Sequence, residues 1–170
     1  MRETLANLRL KDLASERILN QARSFAYQAL ARRGHSRREL EEKLQRHGFG
    51  AETVSSVLKE LETKRYLNDR AFALAWSQKA VEHKFLGPLA LQRELELKGI
   101  DREIIQEVLE KLYTGTPEEH LAMKAIRRKL AQVRGGKAKA LQRSMAGYLA
   151  RKGFTSEVIE KVVKRQNDIQ

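Results

Sequence analysis

Ser36-Arg37-Arg38-Glu39-Leu40-Glu41-Glu42-Lys43-Leu44-Gln45-Arg46-His47-Gly48-Phe49 is a short helix with both of its ends marked. Ser36 and Glu39 have the spacing of a capping box, in which each side chain satisfies an orphan amide at the helix start. Leu40 and Leu44 stand one turn apart on a single edge. Gly48 is the residue type that takes the left-handed conformation closing a helix. The same spacing returns at Leu91, Leu95, Gly99 and Ile100, and again at Met145, Leu149, Gly153 and Phe154. The register also continues past each glycine. Glu52, Val54, Val57 and Leu58 follow the first, Glu103, Ile105, Val108 and Leu109 the second, and Glu157, Ile159, Val162 and Val163 the third. A period of about fifty residues indicates tandem supersecondary units rather than one core.

A longer helix precedes each pair. The first spans Glu16 to Arg33, with Ile18, Leu19, Ala22, Phe25, Ala26, Ala29 and Leu30 along one side, and stops at Gly34. In the second unit Asn68 caps a helix over Asp69 to about His83, whose apolar residues are Phe72, Ala75, Trp76 and Ala80. Phe85-Leu86-Gly87 then leads to Pro88, placed for the first turn of the next helix. The third opens at Thr116-Pro117 and runs to Arg134, before Gly135-Gly136. The expected fold is all-α: three tandem three-helix repeats in an elongated, right- or left-curved modular array. Residues 1–14 are a leader of uncertain structure, 15–66 the first repeat, 67–114 the second, and 115–170 a basic third. Stacked repeats of this kind lean on their neighbours for a core.

Composition excludes several kinds of chemistry. The 170 residues contain no cysteine, so disulfides, thiolate zinc sites and thiol nucleophiles are absent. The N-terminal stretch lacks the apolar centre of a signal peptide, and no long apolar run suits a membrane, which leads us to expect a cytoplasmic protein with no membrane association. No phosphate-binding Gly-rich loop and no H-E-x-x-H motif occurs. The histidines, His35, His47, His83 and His120, are scattered, and Glu41 and Glu42 are ordinary solvated helix charges. We expect no catalytic residues, no metal and no cofactor. The helix–Gly–helix pairs resemble DNA-reading helix-turn-helix elements only superficially. Their second helices open with Ala51-Glu52-Thr53, Asp101-Arg102-Glu103 and Ser156-Glu157, carboxylates that would meet the phosphate backbone.

Charge provides the functional signal. Net charge is +12, and from His120 to Lys152 there is no acidic residue. That segment carries Lys124, Arg127, Arg128, Lys129, Arg134, Lys137, Lys139, Arg143, Arg151 and Lys152. Ala122, Ile126, Leu130 and Val133 form an apolar stripe, with Lys124, Arg127, Arg128 and Arg134 on the other side. Solvated helix faces normally mix signs to avoid self-repulsion, so a single-sign face suits a polyanion or an acidic surface. Tyr148 is the lone aromatic candidate there, which argues against base stacking on a single strand.

The chain resembles the RecX family. The resemblance lies in Ser36-Arg37-Arg38-Glu39-Leu40 with Leu44 and Gly48-Phe49, in Tyr66-Leu67-Asn68-Asp69-Arg70-Ala71-Phe72-Ala73, and in Gly87-Pro88 through Glu94-Leu95 to Lys98-Gly99-Ile100. It covers about Ala22 to Lys164. The third unit keeps the apolar and glycine spacing, including Leu149, Gly153 and Phe154, but has a longer linker and lacks the Leu-Asn-Asp connector. The resemblance implies a cytoplasmic, non-catalytic regulator that binds the RecA recombinase or its DNA filament and lowers its recombination, strand-exchange and ATPase activities. It thereby implies a setting in DNA repair, recombination and the SOS response. A general nucleic-acid-binding helical repeat protein, contacting single- or double-stranded DNA as its main task, is the alternative.

Overall fold

A computed structural model describes residues 2–115, 117–132 and 144–167, with side chains described over 11–114, 117–132 and 144–165. The described residues form nine helices and no strand: α1 (Arg2–Arg32), α2 (Arg37–Arg46), α3 (Ala51–Thr63), α4 (Asp69–Lys84), α5 (Pro88–Leu97), α6 (Arg102–Gly115), α7 (Glu118–Ala131), α8 (Met145–Arg151) and α9 (Ser156–Asn167). The architecture is all-α, built of tandem three-helix repeats. By packing, the chain divides into two units, 1–72 and 73–170, the boundary falling within α4.

In the first unit the capping box forms. The Glu39 amide donates to Ser36 Oγ at 3.1 Å, and the Ser36 amide donates to the Glu39 carboxylate at 3.4 Å. Gly48 has φ +95°, and the Phe49 amide reaches back to the Leu44 carbonyl at 3.3 Å, closing α2. Ala22, Ala26 and Ala29 of α1 allow close approach of α2 and α3, which contribute Leu40, Leu44, Val54, Val57, Leu58 and Leu61 to the core, with Leu67 beside them. Asn68 and Asp69 cap two different helices. Asn68 Oδ1 accepts from the Ala71 amide at 3.0 Å, while Asp69 accepts from the Arg37 amide at 2.7 Å. One carboxylate thus ties the start of α4 to the start of α2, where the helix dipole also favours it.

The second unit uses the same devices. Pro88 occupies the first turn of α5, and Gly99 (φ +73°) and Gly153 (φ +81°) close α5 and α8. Leu91, Leu95, Ile100, Ile105 and Val108 are buried along α5 and α6, and Leu121, Ala122, Ala125, Ile126, Met145, Leu149, Phe154 and Val162 along α7 to α9. Glu118, at the start of α7, accepts from both the Thr155 amide (2.6 Å) and its hydroxyl (3.0 Å), fixing the start of α9.

Some expectations need correction. α1 begins at Arg2, so the leader is continuous with the first long helix; it contains neither glycine nor proline, and Leu, Ala, Lys and Glu propagate helix well. Ile18, assigned to the apolar side, is 45% exposed because the core begins only about one turn later. On α4 the buried residues are Ala73, Ser77, Ala80 and Val81, whereas Ala75 is exposed and Phe72 and Trp76 are half-buried. That helix is apolar nearly all round at its start, so spacing alone does not select its inward face. α7 ends at Ala131 with Gln132 as its C-cap, short of the expected Arg134, while 133 and 134 lie outside the described residues.

Candidate cationic interface

The buried face of α7, Leu121, Ala122, Ala125 and Ile126, turns Lys124, Arg127 and Arg128 outward, with Lys129 half-buried. These cations do not form one stripe: they divide between two concavities.

Lys124 and Arg127 line the first, of about 690 Å³, together with His120, Met123, Glu119 and Arg165. Acid is present here, for Glu119 pairs with Arg165 at 3.2 Å.

Arg128 and Lys129 line the second, of about 240 Å³, where they meet Lys84 from the end of α4 and Tyr148 and Lys152 of the α8 turn. The assembly depends on backbone pairing. The Gly87 amide donates to the Lys152 carbonyl at 2.7 Å and the Leu89 amide to the Gly153 carbonyl at 3.0 Å, setting the end of α8 against the start of α5. The Lys152 ammonium then donates to the Lys84 carbonyl at 2.7 Å, at the negative end of α4. Tyr113 donates to the Leu86 carbonyl at 2.8 Å, steadying the same connection, and burial pushes its phenol well above the usual tyrosine range. Phe85, held at φ +52° and buried, lies beneath the Arg128 guanidinium at 5.2 Å from its ring centre.

The electrostatics follow from this crowding. Burial lowers the Lys152 pKa from its ordinary value, and the neighbouring charges of Lys129 and Lys84 lower it further. Burial raises that of Tyr148, opposed by Arg128, so the phenol stays protonated and can donate. Among the described residues no carboxylate pairs with Lys84, Arg128, Lys129 or Lys152. The first unit contrasts with this. There Arg23 pairs with Glu60 at 2.6 Å, Arg37 with Glu41 at 3.0 Å, Arg38 with Glu42 at 2.9 Å and Lys64 with Glu60 at 2.7 Å.

Of the residues expected to make contacts, Arg128, Lys129 and Lys152 come together, Lys124 and Arg127 form a separate pair, and Arg151 is exposed on α8. Arg134, Lys137, Lys139 and Arg143 lie outside the described residues. Lys84 was missed from sequence, since it stands 68 positions from the lysine whose ammonium it meets. Among the described residues no group of histidines and carboxylates is arranged to hold a metal.

Three family models match the chain in order: the first three-helix domain of RecX over residues 22–61, the second over 68–109 and the third over 117–163. A Regulatory protein RecX from Streptomyces coelicolor is 33% identical over 86% of this chain and 78% of its own length. The chain belongs to the RecX family. A second relative of that name, from Amycolatopsis mediterranei, is 28% identical over 91% of this chain and 88% of its own length. The fold is also that of the RecX crystal structure from Lactobacillus salivarius, with a TM-score of 0.74 at 19% identity over 89% of this chain and 98% of that one. The family's three-helix domains therefore coincide with the helix triplets α1–α3, α4–α6 and α7–α9, and the cationic concavity joins residues of the second and third.

Proposed function

We propose that this protein is a non-catalytic cytoplasmic regulator that binds RecA in its DNA filament and lowers its strand-exchange and ATPase activities. Membership in a family of regulatory proteins supports the regulatory part, and the RecX resemblance implies RecA as the partner. The observation that carries the reading furthest is the positive charge of Lys84, Arg128, Lys129 and Lys152, with which no carboxylate pairs among the described residues. It suits a filament whose DNA is a polyanion, where electrostatic complementarity raises association rate and fixes orientation. Among the described residues no helix is long and apolar enough to cross a membrane. The test is direct: purified protein is added to RecA strand-exchange and DNA-dependent ATPase reactions. Concentration-dependent inhibition of both is expected. Unchanged rates at saturating protein would contradict the reading.

A further inference from the structure

We infer that Lys84, Arg128, Lys129, Tyr148 and Lys152 form a built binding site for a phosphodiester group of a nucleic-acid backbone. The inference rests on the reading above for its setting and adds the chemistry of one contact. Three separate helices contribute to the concavity, so its cations are brought together by tertiary structure rather than scattered along one surface. A bland account exists for two of them taken singly. Lys152 caps α4 through the Lys84 carbonyl, and the Lys84 ammonium lies 5.6 Å from the Trp76 ring centre.

Neither role explains why four positive charges share one small space with no acid among the described residues that line it. Burial is the first cause of the lowered affinity of Lys152 for its proton, and to it is added the repulsion of Lys129 and Lys84. A carboxylate at one neighbouring position would remove it, as carboxylates do throughout the first unit. In sequence, positions 120 to 152 contain no Asp or Glu at all. Among the described residues no anion answers these cations, and the site is suited to one brought by a partner.

The geometry favours phosphate over a carboxylate from another protein. Arg128, its guanidinium 5.2 Å from the Phe85 ring centre, offers a planar fork of donors that can take two oxygens of either group. Lys152 has spent one of its three donors on the Lys84 carbonyl, which fixes its ammonium and leaves two free. Tyr148 is a neutral donor on the same wall. A tetrahedral group with several oxygens can engage these separated donors, whereas a planar carboxylate presents two oxygens on one side.

The test uses the full chain with Lys84→Gln/Lys129→Gln, which spares the Lys152 cap and the Arg128–Phe85 contact. A second variant, Lys124→Gln/Arg127→Gln, removes the same charge from the other concavity. Binding of a fluorescein-labelled duplex oligonucleotide is followed by anisotropy across a salt series. The first variant should bind about tenfold more weakly, with the log–log salt slope shallower by about one, as expected for loss of one phosphate contact. The second should lose less than half that slope change. Inorganic pyrophosphate at matched ionic strength should not displace the oligonucleotide. A first variant with the parent's affinity and slope would overturn the site, and so would displacement by pyrophosphate, which would make a free phosphate the occupant. RecA inhibition is read in parallel. Site-dependent DNA binding without any effect of the parent on RecA would uphold the phosphate site and overturn only the regulatory reading.

Discussion

Gly87 and Gly153 meet backbone to backbone: a Cβ on Gly87 would lie 2.5 Å from the carbonyl carbon and oxygen of Gly153. Gly153 is constrained twice, since it has φ +81° and its own Cβ would collide with the backbone of Ala90. These glycines let the α5 start and the α8 end hydrogen-bond directly, which places Lys152 over the Lys84 carbonyl. The cationic concavity is a consequence of that seam.

Substitution should grade accordingly. Gly48→Ala meets only the penalty of a Cβ at positive φ, about 1 kcal/mol, because nothing lies within 4 Å of the added atom. Gly87→Ala meets only the clash, its φ being −79°, and Gly153→Ala meets both. Denaturant melts should rank Gly153→Ala as the most destabilised, by clearly more than about 2 kcal/mol. Equal losses at Gly48 and Gly153 would mean that the seam does not form.

Acid should weaken the first unit through His35. The ring is buried, Nδ1 faces the Arg33 carbonyl at 3.0 Å, and Nε2 has no hydrogen-bond partner among the described residues. Burial is the main cause holding its pKa below 6.5; the charges of Arg33 and Lys43 act the same way, while the Arg33 carbonyl and Glu39 oppose. The unfolded chain therefore takes up this proton first. The stability that the neutral ring contributes is complete above the unfolded value and is lost as pH falls below it, through the folded one. Urea midpoints should drop between about pH 7.5 and pH 5.5, and the drop should be smaller in His35→Gln. An equal drop in both proteins would remove His35 as the cause.

Ser77 offers a stabilising substitution. Its hydroxyl is buried on α4 without a partner among the described residues, so it bears a desolvation cost that no hydrogen bond there offsets. Ser77→Ala should be neutral or more stable by up to about 1 kcal/mol, with gained helix propensity adding to the effect. A clear loss in a thermal melt would show that the hydroxyl is satisfied in solution.

Much of the fold was legible because its signals are local. Ser36 with Glu39, Asn68, Pro88 and the three glycines each act within a turn or two of themselves, and each is found where spacing places it. The α4 face was not legible, because alanine surrounds that helix and only its packing partners select Ala73 and Ser77. The positive φ of Arg65 and Phe85 was equally hidden, as neither residue type announces it. The basic segment was visible as charge, but its division between two concavities was not. Arg127 and Arg128 are adjacent in sequence yet line different ones. Lys84 joins through a contact that no local pattern encodes.

The measurement that bears most directly on the central claim is an inhibition titration of RecA's DNA-dependent ATPase with matched charge reversals. Lys124→Glu/Arg127→Glu/Arg128→Glu alters the outward face of α7 while sparing its buried Leu121, Ala122, Ala125 and Ile126. Lys11→Glu/Arg17→Glu/Lys59→Glu makes the same change in net charge at exposed positions of the first unit. Exposed helix charges contribute little to stability, so both variants should keep the parent's circular dichroism and melt. The α7 variant should need at least about tenfold more protein for half-inhibition, while the first-unit variant should stay within about threefold of the parent. A folded α7 variant that inhibits RecA as well as the parent would contradict the account.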